Sequence, residues 1–379
     1  MVRKLKIIEY KMHQFRLELV QPYRFAESTF RYRPINIVAI KDELGNVGLG
    51  EVEAFEFPTY IEEIQADCVR ILKTRVLPLL GSKEFDTPFE FSRFINSTNA
   101  PYMARAAVEM AIWDLFSKRN NISVQKLISL AVSTNQPLKK QVSVGVAIGI
   151  KTNAEQIIQE IEHQLDLGYT RIKLKVNHTY TVGMLKQVRQ VFPKEEIMID
   201  CNSQFSLRDK NFFQNIDGLN FSMIEQPFSQ KDFRNHAKLQ SHLMTPLCLD
   251  ENIRNSEDIW KVVNLGAAKV INMKLARVGG IANALALTVL AENQGLKVWC
   301  GGMLETGIGR AYNLALASMP FYSFPGDISA SNRYYKNDVI REDFQLEDGK
   351  LNVPEKVGLG VTLNPVAKAK FNQDEWIKI

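Results

Sequence analysis

Five charged residues stand at nearly even steps along the middle of the chain. They are Lys175, Asp200, Glu225, Asp250 and Lys274, at intervals of 25, 25, 25 and 24 residues. Each closes a short apolar run: RIKLK at 171–175, IMID at 197–200, MIE at 223–225, LCLD at 247–250 and VINMK at 270–274. Three gathered carboxylates repel one another unless a cation joins them. An all-oxygen set without His or Cys suits a hard ion, and Mg²⁺ is the usual choice where water and substrate complete the shell. Asp200, Glu225 and Asp250 are therefore the expected metal ligands, with Asn202 and Glu251 beside them as supporting groups. The two lysines flank the acids. A lysine near other cations is expected to have a lowered pKa and so to act as a neutral base. A divalent ion on a substrate carboxylate would offset the charge of an enolate formed beside it. The pattern thus points to removal of a proton next to a carboxylate. Two acting lysines give racemisation; one lysine and a leaving group give elimination.

The even spacing says what must position these groups. One strand, a crossover helix and two short loops consume about 25 residues. Regular alternation at that length argues for a parallel α/β barrel, whose catalytic residues sit at the carboxyl ends of the strands. Strand one is read at Val142–Ile148, strand two at Arg171–Val176, and strands three to seven near 196–200, 221–225, 246–250, 269–274 and 296–300. Phe324–Ile328 offers a short eighth strand. Strands two and six are opposite on such a barrel, so Lys175 and Lys274 would face each other across the metal. Lys173 shares a strand face with Lys175, because residues two apart point the same way. After strand seven, the glycines of GGMLETGIGR at 301–310 either offer backbone N–H groups to an anion at a helix start or make tight turns.

The barrel would occupy 140–330. Before it, 1–135 reads as a smaller α+β domain: a β-meander over 3–53, then helices at 59–80, 87–96 and 101–119. Val20–Ser28, with Pro22 and two aromatics, reads as a loop that is either a surface connection or a lid over substrate. Residues 341–379 lack the βα period and are expected to return to the first domain.

Composition removes several classes. The net charge of +5 is mild and its basic residues are scattered, so no nucleic-acid surface is expected. The four cysteines show no CxxC or Cys/His spacing, which fits reduced thiols and a cytoplasmic location rather than a disulfide or zinc framework. No run of 18 apolar residues and no signal-type leader is read, so no membrane association is expected. The five histidines fall off the strand ends, which leaves no His-based acid or base.

Taken together, KLK at 173–175, Asp200-Cys201-Asn202, Glu225-Gln226-Pro227, Asp250-Glu251-Asn252, Lys274 and GGMLETGIGR resemble the enolase superfamily, muconate-lactonising subgroup. They are most similar to the o-succinylbenzoate synthase/N-acylamino acid racemase family, and the resemblance runs through ARAAVEMAIWDL and FPGDISASNR. It implies a modified TIM barrel, (β/α)₇β, under an α+β capping domain. It implies Mg²⁺ on Asp200, Glu225 and Asp250, with Lys175 and Lys274 as the acid/base pair. It also implies substrate contacts from Lys173, Arg24, Phe25, Ser28, Phe55, Asn202, Gly301, Gly302 and Met303. The family reaction is dehydration of 2-succinyl-6-hydroxy-2,4-cyclohexadiene-1-carboxylate to o-succinylbenzoate, in menaquinone synthesis; some members racemise N-acyl amino acids. A small-molecule carboxylate substrate and a homo-oligomer are expected. Similar dipeptide epimerases carry Asp-x-Asp near strand eight, where this chain has Asp327-Ile328-Ser329, and Ala147 stands where some relatives have Ser. A Schiff-base lysine aldolase and a non-catalytic barrel are the alternatives from other classes.

Overall fold

The computed structural model describes residues 4–25, 28–132 and 137–379; the side chains at 23–25, 28 and 30 lie outside that description. The chain opens with a long antiparallel hairpin of β1 (Ile7–Phe25) and β2 (Ser28–Asp42). Pairing runs from Ile7 with Asp42 out to Phe25 with Ser28. The expected loop at 20–28 is therefore mostly hairpin. Tyr23, Phe25, Thr29 and Phe30 are strand formers, and the irregularity around Pro22 is absorbed by a register shift between Glu18 and Tyr23. Ala26 and Glu27 lie outside the described residues. Asp42 accepts from the backbone N–H groups of Leu44 and Asn46, which folds the turn into β3 (Val47–Val52).

The helix read at 59–80 is shorter and broken. α1 (Gln65–Ile71) passes into one wide turn and then a tight 3₁₀ segment containing Pro78, which has no N–H to donate. Gln65 donates to the carbonyl of Ala54 at 2.9 Å and accepts from Asn36 at 2.7 Å, fixing the segment that leaves β3. α2 (Pro88–Ser97) is capped by Thr87, and α3 (Tyr102–Arg119) follows Pro101. α3 is buried on nearly every side. Its Ala107 and Ala111 lie against β3, where a Cβ on Gly48 or Gly50 would stand 1.9 Å from a carbonyl oxygen of the helix. α4 (Val124–Ala131), capped by Ser123, occupies residues the sequence had left without an element.

The barrel begins with two short strands in place of one, β4 (Gln141–Ser143) and β5 (Val146–Ile148). They part at Gly145, where Arg171 leaves no room for a side chain. The period then unfolds as α5 (Ala154–Asp166), β6 (Arg171–Lys175), α6 (Val182–Val191), β7 (Glu196–Asp200), α7 (Lys210–Ile216) and β8 (Ile224–Glu225). It continues as α8 (Phe233–Gln240), β9 (Leu247–Leu249), α9 (Ser256–Leu265), β10 (Val270–Met273), α10 (Ile281–Asn293), β11 (Lys297–Cys300) and α11 (Gly307–Ala317). β5 to β11 form one parallel sheet in sequence order. The eighth position is not a ladder. Single bridges from Tyr322 to Val298 and from Gly326 to Val144 close the ring.

Residues two before the acidic rungs point the same way as the rungs. Met198, Met223 and Cys248 join Val270 and Trp299 in a core of their own, separate from the main one. This is the filling of the barrel beneath its mouth. After α12 (Ser331–Tyr334), the tail divides. β12 (Lys350–Asn352) pairs with β4 of the barrel, whereas α13 (Pro365–Phe371) and β13 (Ile377–Lys378) reach back to β1. The Lys11 ammonium donates to the Phe371 carbonyl at 2.9 Å and lies over the rings of Phe371 and Trp376. No helix among the described residues is long and apolar enough to cross a membrane, and all four cysteines are buried and free.

Candidate active site

Parallel register brings the ladder together. Lys175 is level with Asp200 and Asp200 with Glu225 across β6, β7 and β8. Asp250 and Lys274 each follow directly on a strand end, after β9 and β10. Lys173, Lys175, Asp200 and Lys274 line one narrow cavity with Asn202, Phe55, Tyr60, Gly302, Met303, Asp327 and neighbouring residues. All five rungs are buried.

Each carboxylate is engaged by a cation of the protein. Lys173 Nζ lies 2.7 Å from Asp327, 3.1 Å from Glu225 and 3.3 Å from Asp200. Lys175 Nζ lies 3.0 Å from Asp200 and also donates to the side-chain oxygen of Asn202. Lys274 Nζ lies 2.9 Å from Asp250 and rests on the Tyr60 ring, 4.4 Å from its centre. Arg277 binds the other Asp250 oxygen, which also accepts the Tyr60 hydroxyl at 2.7 Å. Asn272 donates to Glu225 at 2.9 Å. Among the described residues, no three His, Cys, Asp or Glu side chains are gathered closely enough to ligate one ion as they stand. The donor chemistry still fits a hard cation: Asp200 and Glu225 already converge on one positive nitrogen, and Glu251 keeps a buried oxygen without a hydrogen-bond partner.

In the site without a metal ion, the charges balance among the protein's own groups. Burial alone would push the lysines down, but Asp327, Glu225 and Asp200 outweigh it at Lys173, and Tyr60, Glu225 and Glu251 outweigh it at Lys274, so both are raised. Asp200 is held below the usual carboxylate range: burial opposes this, and Lys175 and Lys173 prevail. Burial raises Glu225, and it lifts Glu251 to about 7. These directions describe the site with its lysines on its acids.

The glycine segment is likewise decided. Gly301 donates its N–H to Met273, continuing the sheet, and a Cβ there would meet Asn272. Met303 donates its N–H to Glu305 at 2.6 Å. At the start of α11, Glu51 accepts from Thr306 and Gly309, and Asp338 from Gly307. The protein's own carboxylates thus take the N–H groups that an anion would need. Gly302 and Met303 line the cavity and Gly301 supports its wall; a Cβ at Gly301 would meet Asn272 and one at Gly302 the Asp327 carbonyl, so close packing is what asks for glycine there. Phe55 reaches the cavity as expected, while the side chains of Arg24, Phe25 and Ser28 lie outside the described residues. Sequence reasoning missed Tyr60, Asn272 and Arg277, and also Tyr334, which lines the same cavity. Arg277 carried a usable signal, since it lies three residues beyond a strand-end lysine.

Residues 7–129 match the mandelate racemase/muconate lactonizing enzyme N-terminal domain, and residues 156–367 the enolase C-terminal domain-like family. An o-succinylbenzoate synthase of Enterococcus faecalis is 38% identical over 369 residues, covering 97% of this chain and 99% of the relative. An N-succinylamino acid racemase of Thermus thermophilus is 37% identical over 350 residues, covering 92% of each. A solved structure from Listeria innocua, described as a member of the enolase superfamily, superimposes with a TM-score of 0.92 at 37% identity over 99% of both chains. The chain therefore belongs to the enolase superfamily, in the family that holds the o-succinylbenzoate synthases and N-succinylamino acid racemases.

Proposed function

We propose that this protein is an o-succinylbenzoate synthase, a carbon–oxygen lyase acting on a cyclohexadiene carboxylate. The observation that carries the reading is that Lys175 and Lys274, from opposite strands, line one buried cavity whose strand ends between them carry Asp200, Glu225 and Asp250. Those three carboxylates would hold Mg²⁺, each giving up a lysine or arginine contact to do so. When bound, the ion supplies positive charge beside the substrate carboxylate. Lys175, in its neutral form, takes the proton α to that carboxylate. The charged Lys274, anchored by Asp250 and Tyr60, stabilises the enolate from the other face. As the C–OH bond breaks, the Lys175 ammonium returns its proton to the departing hydroxide, and water leaves. Asn202 orients Lys175 through its side-chain oxygen. The cap contributes Phe55 and Tyr60, which close the cavity against water.

A second reading is N-succinylamino acid racemisation. It is favoured by the same two lysines, one on each side, and by the racemases among the relatives. Assay of the purified protein on the cyclohexadiene substrate and on N-succinyl amino acids, side by side, separates the two. Chelation should abolish turnover and Mg²⁺ should restore it. Inactivation by borohydride in the presence of substrate would instead indicate a Schiff-base lysine.

A further inference from the structure

Lys173 stands between two kinds of acid. On one side are Asp200 and Glu225, the carboxylates assigned above to the metal; on the other is Asp327, from the segment that closes the barrel. Asp327 is the nearest of the three. Its other oxygen is fixed by Arg171 at 2.6 Å, and Arg171 lies on the Trp299 ring. Its backbone N–H donates to Cys300 on β11 at 3.2 Å. Asp327 is therefore anchored at both ends, and its side chain cannot follow Lys173 elsewhere. All three of these charged residues are buried. An ammonium has three N–H groups, and here three carboxylates compete for them.

We propose that Asp327 is a positioning residue that retains Lys173 when Asp200 and Glu225 turn to the metal ion. The inference rests on the metal reading given above. Without Asp327, Lys173 has only the metal carboxylates to pair with, and it then competes with the ion for them. With Asp327, the ammonium stays at the floor of the cavity, free to face a substrate carboxylate. Arg171 would keep Asp327 neutralised if Lys173 were removed, so the effect of Asp327 on the ion runs through Lys173.

The test is calorimetric titration of Mg²⁺ into the substrate-free protein, with four variants: wild type, Asp327→Asn, Lys173→Met and the double substitution. Asp327→Asn should weaken Mg²⁺ binding about tenfold or more, the usual scale for a group that orients a ligand's neighbour. The same change in the Lys173→Met background should alter it less than about twofold. Lys173→Met alone should leave the affinity within about threefold of wild type, because in the wild type Asp327 keeps the ammonium when Asp200 and Glu225 turn to the ion. That variant leaves the Arg171–Asp327 pair intact and serves if Asp327→Asn does not fold. Equal loss in both backgrounds, no loss in Asp327→Asn, or a gain above about tenfold in Lys173→Met would each overturn the proposal. Failure of the wild type to bind Mg²⁺ would instead count against the metal reading itself.

Discussion

Tyr60 of the capping domain donates its hydroxyl to Asp250 of the barrel at 2.7 Å, while its ring lies beneath the ammonium of Lys274. One cap side chain therefore touches both an acidic rung and a lysine rung of the ladder. The cap completes the site chemically as well as covering it.

Tyr60→Phe keeps the ring and removes the hydroxyl. A hydrogen bond to a charged group is worth about 1.5 kcal/mol or more, so kcat/KM should fall about tenfold. Melting temperature should change little, because Arg277 still binds the same Asp250 oxygen. Steady-state kinetics with thermal melts of both proteins checks this.

Close approach of cap sheet and cap helix depends on two glycines. Gly50→Ala would put a methyl group 1.9 Å from the Ala107 carbonyl oxygen, backbone against backbone. Nothing there is a flexible side chain that can move aside. The expected cost is about 3 kcal/mol of stability, read by denaturant unfolding, and Gly48→Ala should behave alike.

His236 links pH to stability. Its Nε2 accepts from the Phe228 backbone N–H at 3.2 Å, just beyond Glu225-Gln226-Pro227, and its Nδ1 donates to the Asp232 carbonyl at 2.6 Å. Burial lowers its pKa from 6.5 to about 4. Between those values the unfolded chain binds the proton and the folded chain does not. Stability from this group is therefore full above pH 6.5 and is lost as pH falls toward 4, by roughly 3 kcal/mol in all. Urea unfolding from pH 7 to pH 4 should show a flatter dependence for His236→Gln than for wild type; parallel curves would contradict the assignment.

How far the sequence could be read divides along physical lines. The ladder was legible because parallel strands buried on both faces leave continuous apolar runs, and a charge at the end of each run stands out. Register follows from that pattern, so Lys175, Asp200 and Glu225 came out level. The groups that hold the rungs were not legible. Tyr60 comes from a segment that no local period marks, and Asp327, though it lies in the segment read as an eighth strand, carries no signal in sequence that pairs it with Lys173. The direction of the shift at Lys173 depends on which charges stand nearest, and Asp327, the nearest of them, is paired with it only by the fold. The eighth strand and the 59–80 helix were overextended where Pro and isolated bridges, rather than a ladder, fix the backbone. The glycines at 301–302 could be read either way until Asn272 and Asp327 were found to fill the space beside them.

The central claim is that Lys175 carries the proton in both halves of the dehydration. The most direct measurement is the rate at which folded, Mg²⁺-loaded Lys175→Ala converts the cyclohexadiene carboxylate to o-succinylbenzoate. The account predicts a loss of about 10³-fold or more, the upper range for removal of a general acid–base group. Dehydration within about tenfold of wild type would contradict it.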